Sequence, residues 1–370
     1  MYFWQRCDIM VLIIIPLWGI TIMSFVSRKE KNKRFHDATC RKELRLLTKS
    51  NKKKRVKKHQ DSVQPKSYSA SFDGKNRTFQ LKAPCNLCVF DSTQDAVEYF
   101  NAVMRAVKEC QFGDSLFFDL SDVKVISPDA IMYLIAVIKN TRRIRGLKIQ
   151  CKGNIPKESS AREIIERSGF FEFVSSTTQR QVKADGKYMK ISDGKNVDGE
   201  LGSSFCDFVQ RACNTTHVGT KRLYTTIIEL MTNTQQHAYE LEEHQSMMGN
   251  WYLFAQDIGN AIHFVFLDTG VGIPKTVSKR FWEIIKDFVT RNDATYLKSA
   301  LQGKFRSETK QEHRGKGLPG IYEDARCHSI NNLSIISGQG KCSVREDSTI
   351  ETECLNQTFE GTLLSWDIVY

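Results

Sequence analysis

Missing from this sequence is any cysteine pattern that could carry a fold. Eleven cysteines occur in 370 residues, an odd number, and the one close pair, Cys85 and Cys88, has no second pair at zinc-ligand spacing. The spacings make no disulfide framework, and a lone C-x-x-C is weak evidence for metal or redox chemistry, so the expectation is reduced thiols in a cytosolic protein. Missing too is a charge excess over most of the chain. The net charge is +12, but residues 1–66 hold 17 Lys and Arg against 5 Asp and Glu, and the remaining 304 residues hold 37 of each. The basic character belongs to an N-terminal extension and not to the domains that follow. Aromatic residues are absent from 49–58, where the basic run is densest. That argues against stacking on single-stranded bases.

Within the extension, Ile9 to Val26 is apolar apart from Thr21 and Ser24. As a helix it would reach about 27 Å, at ~1.5 Å per residue, just short of a hydrocarbon core of about 30 Å. No small-residue cleavage site follows. Arg28, Lys29, Lys31, Lys33 and Arg34 would hold the bulk of the chain on the cytoplasmic side. Two readings stay open: residues 9–26 anchor a cytoplasmic protein to the membrane, or the natural start is Met23. The basic tether at 28–58 suits an anionic membrane surface, a nucleic-acid phosphate backbone, or no partner at all.

Globular patterning begins near Tyr68. Ala96, Val97, Phe100, Val103, Met104 and Val107 have helical spacing. Ser115–Leu120 reads as a buried strand, and Ser127-Pro128 opens a helix over Asp129–Ile138. Leu147–Cys151 reads as a strand and Ala161–Ser168 as a helix. This alternation predicts an α/β sandwich. The run Leu116–Leu120, then Val123–Asp129 and the apolar helix, with Glu166–Val174 as a closing helix and turn, resembles a STAS domain, the fold of anti-sigma-factor antagonists. Phosphorylated members carry an Asp-Ser-Ser-Gly-like turn where this chain has Ser127-Pro128-Asp129-Ala130. Asp129 at a helix start reads as a dipole partner or as a mimic of the modified residue.

The chemistry concentrates in four separated boxes toward the C-terminus. In the first, Glu229, Asn233 and His237 cover an arc of about 80° on a helix, at ~100° per residue, with Leu223, Ile227, Leu230 and Met231 on the other side. In the second, strands at Trp251–Ala255 and Ile262–Leu267 lead straight into Asp268-Thr-Gly270-Val-Gly272-Ile-Pro274. Glycines there suit close backbone approach to a flat ligand. The third, Arg314-Gly315-Lys316-Gly317-Leu-Pro319-Gly320, can aim backbone N–H groups at phosphates ahead of a helix start. The fourth is Gly361-Thr362, entering a strand at Leu363–Ile368.

In this order the boxes resemble the GHKL superfamily of gyrase-type ATPases, the heat-shock chaperone, histidine kinases and mismatch-repair ATPases. The Glu229-to-Tyr239 box is most similar to the anti-sigma-factor serine kinases. The resemblance implies ATP and Mg²⁺ as cofactors. Asn233 would hold Mg²⁺, which bridges the phosphates, and Glu229 would be the general base. Asp268 would accept from the adenine amino group, Gly270 and Gly272 would shape the base pocket, and Gly315 and Gly317 would wrap the phosphates. Thr362 would sit near adenine, and His237 completes the nucleotide-facing side of its helix. Pro319 interrupts the usual phosphate run and leaves the role of Gly320 open. Lys275–His313 would be a lid, with a helix at Phe281–Val289.

The expected architecture is α/β throughout: a STAS-like α/β sandwich at 67–176, a connection and entry to the next domain at 177–217 with a short hairpin near Lys187–Ile191 and a helix over Leu201–Ala212, and a GHKL-type α/β sandwich at 218–370. The last has a mixed sheet with helices on one face. The expected function is an ATP-binding regulatory protein, a serine/threonine kinase or slow ATPase in a partner-switching system. Two alternatives stay open, an ATP-gated protein-binding switch and a nucleic-acid-associated ATPase. Partners would be ATP and a regulatory protein, and a homodimer is open.

Overall fold

Local signals in the first part place each element before any packing is considered. The computed structural model describes residues 68–73, 76–144, 149–174, 186–213, 220–238, 249–280, 291–305 and 317–370. The apolar segment 9–26, the basic tether, and the helix expected at 281–289 lie outside the described residues. Strands β1 (Ser69–Asp73) and β2 (Asn76–Lys82) form an antiparallel hairpin, and β3 (Asn86–Leu87) follows. Helix α1 (Thr93–Glu109) has Asp95 in its first turn and Lys108 in its last, each complementing the helix dipole. Next come β4 (Ser115–Asp119), β5 (Val125–Ile126) and α2 (Pro128–Ile144). Proline suits the first position of α2 because that N–H has no partner in the helix.

The buried carboxylate of Asp129 accepts from the backbone N–H of Val89 (3.1 Å) and from the Ser127 hydroxyl. It is used inside the fold, at the start of α2. Strand β6 (Gln150–Gly153) and helices α3 (Ser159–Arg167) and α4 (Phe170–Phe173) complete this part. Among the described residues the first sheet runs β1-β2-β4-β6, with β2, β4 and β6 parallel, and β3 pairs with β5.

The second part begins earlier than its chemistry. Strand β7 (Tyr188–Gly194) forms where a short hairpin is expected, and helix α5 (Gly199–Ala212) where the helix over Leu201–Ala212 is expected, the latter capped by Asp198 through the N–H of Leu201 (2.9 Å). Helix α6 (Thr220–Ala238) and strands β8 (Trp251–Asp257) and β9 (Ala261–Asp268) follow, then helices α7 (Ile273–Arg280), α8 (Asp293–Leu301) and α9 (Gly317–Arg326). The long strands β10 (Asn331–Val344) and β11 (Ile350–Val369) end the chain. The second sheet runs β10-β11-β9-β8-β7 among the described residues.

Two features depart from the sequence expectation. The second sheet is antiparallel at every described pairing and not mixed. Helices cover both of its faces and not one. On one face Trp251, Leu253, Ala255, Phe264, Phe266, Leu364 and Trp366 share a core with α5, α6, α8 and α9. On the other, Tyr252, Phe254, Val265, Leu267 and Leu363 share a core with α1, α2 and the first sheet. The alternation along each strand is the period-two rule of a pleated sheet. It explains why Trp251–Ala255 is an unbroken apolar run, since a strand buried on both faces has no polar side to show.

Helix α2 is the counterpart: Ala130 through Ile138 are each at most 4% exposed. A helix apolar all round is buried all round. The two parts accordingly belong to one compact unit, Lys66–Tyr370. Lys139 of α2 pairs with Asp193 of β7, and Lys341 of β10 donates to the carbonyl of Phe90 (2.8 Å) at the approach to α1. Helix α8, within the span expected as a lid, buries Leu297 and Leu301 in the second core. No helix among the described residues is long and apolar enough to cross a membrane. Cys85 and Cys88 are free thiols.

Candidate functional site

One end of the second sheet gathers most of the separated boxes. Helix α6 buries Leu223, Ile227, Leu230, Met231 and Thr234 against the sheet and leaves Glu229 and Asn233 partly exposed. That is the orientation its apolar spacing predicts. Helix α9 starts against this polar face. A Cβ placed on Gly317 would come within 2.6 Å of Asn233 Nδ2 and 3.6 Å of Glu229 Oε2. A side chain there would displace Asn233, so the missing Cβ of Gly317 is a condition of this contact. The two nearest chemistry-bearing residues of α6 thus meet the start of the glycine-opened helix, though some 80 residues separate them in sequence.

Asp268 ends β9 next to this pair. Its carboxylate accepts from the N–H of Gly270 (2.7 Å) and from the Thr234 hydroxyl, whose single proton is shared between this carboxylate and the Leu230 carbonyl 3.1 Å away. Burial pushes the carboxyl from 3.8 up to about 6, against the opposing pull of those two donors. Among the described residues the partners of this half-buried carboxylate are neutral donors. Thr362 lies opposite Asp268 in the β9–β11 register, and its Oγ1 is 3.0 Å from Ser337 Oγ. Ser337, fully buried, donates to the carbonyl of Gly361 (2.8 Å) and accepts from the N–H of Ile273 (3.0 Å).

Glycine is required twice here. Gly272 has φ +85°, and a Cβ on it would lie 2.8 Å from Ser337 Oγ. Gly361 has φ +98° and packs so tightly on the carbonyl of Asp268 that no Cβ fits. Gly320 behaves differently: a Cβ there meets nothing within 4 Å. Pro319 sits in the first turn of α9, where its missing N–H costs no helical bond.

Glu229, Asn233, Asp268, Gly270, Gly272, Gly317 and Thr362 therefore lie in one neighbourhood. Gly315 and the side chain of His237 lie outside the described residues. Sequence reasoning missed Thr234 and Ser337. Thr234 is a hydroxyl on the apolar side of an otherwise apolar-faced helix, a signal that was readable. Ser337 follows Ile335-Ile336 in mid-strand, and nothing local marks it.

The residues present fit a magnesium nucleotide on the chemistry of their donors. Asn233 offers a hard amide oxygen, and Asp268 offers an acceptor whose partners among the described residues are the neutral Gly270 N–H and Thr234 hydroxyl. Among the described residues no three His, Cys, Asp or Glu side chains cluster as a metal cage. Mg²⁺ bound with a nucleotide takes few protein ligands and completes its shell with phosphate oxygens and water. Neither family models nor curated proteins give a match to the chain.

Proposed function

We propose that the end of the second sheet binds Mg-ATP, and that the chain is a nucleotide-dependent regulatory protein in which a STAS-like part is joined to a GHKL-type part. The observation that carries this reading is the meeting of Glu229, Asn233 and Gly317 beside Asp268, with Thr234 linking helix α6 to that carboxylate. Bound Mg²⁺ would neutralise phosphate charge and polarise the terminal phosphate. Asn233 would hold the ion and Gly317 would give the phosphates close access to the start of α9. Asp268 would accept a hydrogen bond from the adenine amino group. Guanine offers a carbonyl at that place, so ATP is favoured over GTP. Glu229, one turn before Asn233, would accept the proton of water or of a substrate hydroxyl, as expected of a slow ATPase or a serine/threonine kinase.

Calorimetry on the full chain tests the reading. ATP should bind with Mg²⁺ dependence and more tightly than GTP. Equal affinity for the two nucleotides would remove the assignment of Asp268 to adenine. A regulatory protein partner and, for residues 9–58, a membrane surface belong to the same proposal. Pull-down with and without ATP, and alkaline extraction of the full chain from membranes, test these.

A further inference from the structure

The stretch of β11 just before Gly361-Thr362 is poorly held by its own sheet. Opposite β10, the register jumps from Ser337↔Thr362 to Gly338↔Phe359, and then to Gly340↔Cys354. The pairing of β11 with β9 starts at Thr362↔Asp268. Of residues 355–361 only Phe359 has a partner in β10, so this stretch is an irregular, bulged part of the ladder immediately before the base pocket. Groups from the first part hold this bulge. The Tyr133 hydroxyl, on α2, donates to the carbonyl of Glu360 (3.1 Å), and its ring packs on Phe359 at 4.5 Å between centroids. Asn101 Nδ2, on α1, donates to the carbonyl of Thr358 (3.0 Å). Tyr133 is 2% exposed, so its hydroxyl bond is made in a dry environment. One residue beyond Glu360, Gly361 is wedged against Asp268 and receives the Ser337 hydroxyl.

Resting on the nucleotide reading above, we infer that the first part of the chain regulates base binding by positioning the 357–361 bulge through Tyr133 and Asn101. Tyr133 is a positioning residue: it acts through Glu360 and Gly361 on the acceptor Asp268 and on Thr362. A partner that shifts α2 changes the base pocket, and by reciprocity a bound nucleotide stiffens the contact between the two parts.

The test uses the full chain with Tyr133→Phe, which keeps the buried ring and removes the hydroxyl, and Asn101→Ala as a second, more exposed variant. Affinities for ATP, adenosine and Mg-tripolyphosphate are measured alongside thermal melting. Tyr133→Phe should weaken ATP and adenosine by the same factor, about three- to tenfold for one lost hydrogen bond. Tripolyphosphate binding should be unchanged, because the phosphate end is built on α6 and α9. Asn101→Ala should show the same pattern. In the nucleotide-free chain, amide exchange at Gly361 and Thr362 should speed up in Tyr133→Phe. Unchanged adenosine affinity or unchanged exchange overturns the inference while leaving the nucleotide site standing. An equal loss for tripolyphosphate overturns it as well, since that marks general loosening. A wild type that binds no adenosine removes the nucleotide reading and the inference together.

Discussion

Asp268→Asn should make the nucleotide-free protein more stable at neutral pH while weakening its hold on ATP. Burial raises the folded-state pKa of this carboxyl from 3.8 to about 6. Between those values the folded chain holds a proton that the unfolded chain has released. The stability tied to this group is therefore complete below pH 4 and lost as pH rises through 6. A shift of about two units corresponds to about 3 kcal/mol at neutral pH. Asparagine does not titrate and keeps most of the local bonding. Its carbonyl can accept from Gly270, and its amide can donate to Thr234, whose hydroxyl works in either role. The advantage of the variant over wild type should thus grow by up to about 3 kcal/mol between pH 4 and pH 7.5, read from denaturant unfolding at both values. ATP affinity at pH 7.5 should fall roughly 10- to 100-fold, the usual effect of losing a charged acceptor. In wild type, ATP should bind more weakly as pH falls through 6 and the acceptor is protonated. A stability difference that is flat across this range would refute the account of Asp268 as a desolvated carboxylate held by neutral donors. Unchanged ATP affinity would refute its role toward the base.

Further outcomes follow from the same geometry. Asn233→Ala should abolish the Mg²⁺ dependence of ATP binding while leaving the melting temperature close to wild type; calorimetry with and without Mg²⁺ decides this. Glu229→Ala should leave ATP binding nearly intact and cut phosphate release or transfer by roughly 10²–10⁴. If ATP is instead a switch, the same change should strengthen ATP-dependent partner capture, and wild-type values for both would dismiss Glu229 as a surface residue. Gly317→Ala should push Asn233 aside and lower ATP affinity, with little change in melting, because the clash is with a single side-chain tip. Phe254→Ala removes a fully buried ring facing the first part and should cost about 3–5 kcal/mol. Because the two parts share that core, the 66–370 unit should still unfold in one transition; two separate transitions would mean that the parts fold independently.

The local elements that carry the candidate residues were more legible in the sequence than the architecture around them. Glu229 and Asn233 could be placed on one helix face because helical spacing is a local property, and the same holds for Asp268 and its glycines at a strand end. The α/β alternation was readable for the same reason. The double burial of the second sheet was not read from the sequence, because the unbroken run Trp251–Ala255 and the all-round apolar Ala130–Ile138 could each equally be an ordinary core segment until its partner is known. What no local pattern carries is which surfaces meet. Gly317 touches Asn233 only because α9 packs on α6, and the Thr234 hydroxyl reaches Asp268 only because α6 lies across the end of β9. Ser337, Gly361 and Thr362 come together through strand register, which depends on backbone pairing between segments 25 residues apart. The grip of Tyr133 on the bulge before Gly361 joins residues 227 positions apart, and the cover that α1 and α2 give the sheet likewise joins segments distant in the chain. Helix and strand periods are set by neighbours in the chain and can be read from them; the packing of layers is a choice among many apolar surfaces of similar chemistry, and the fit of the whole fold makes it.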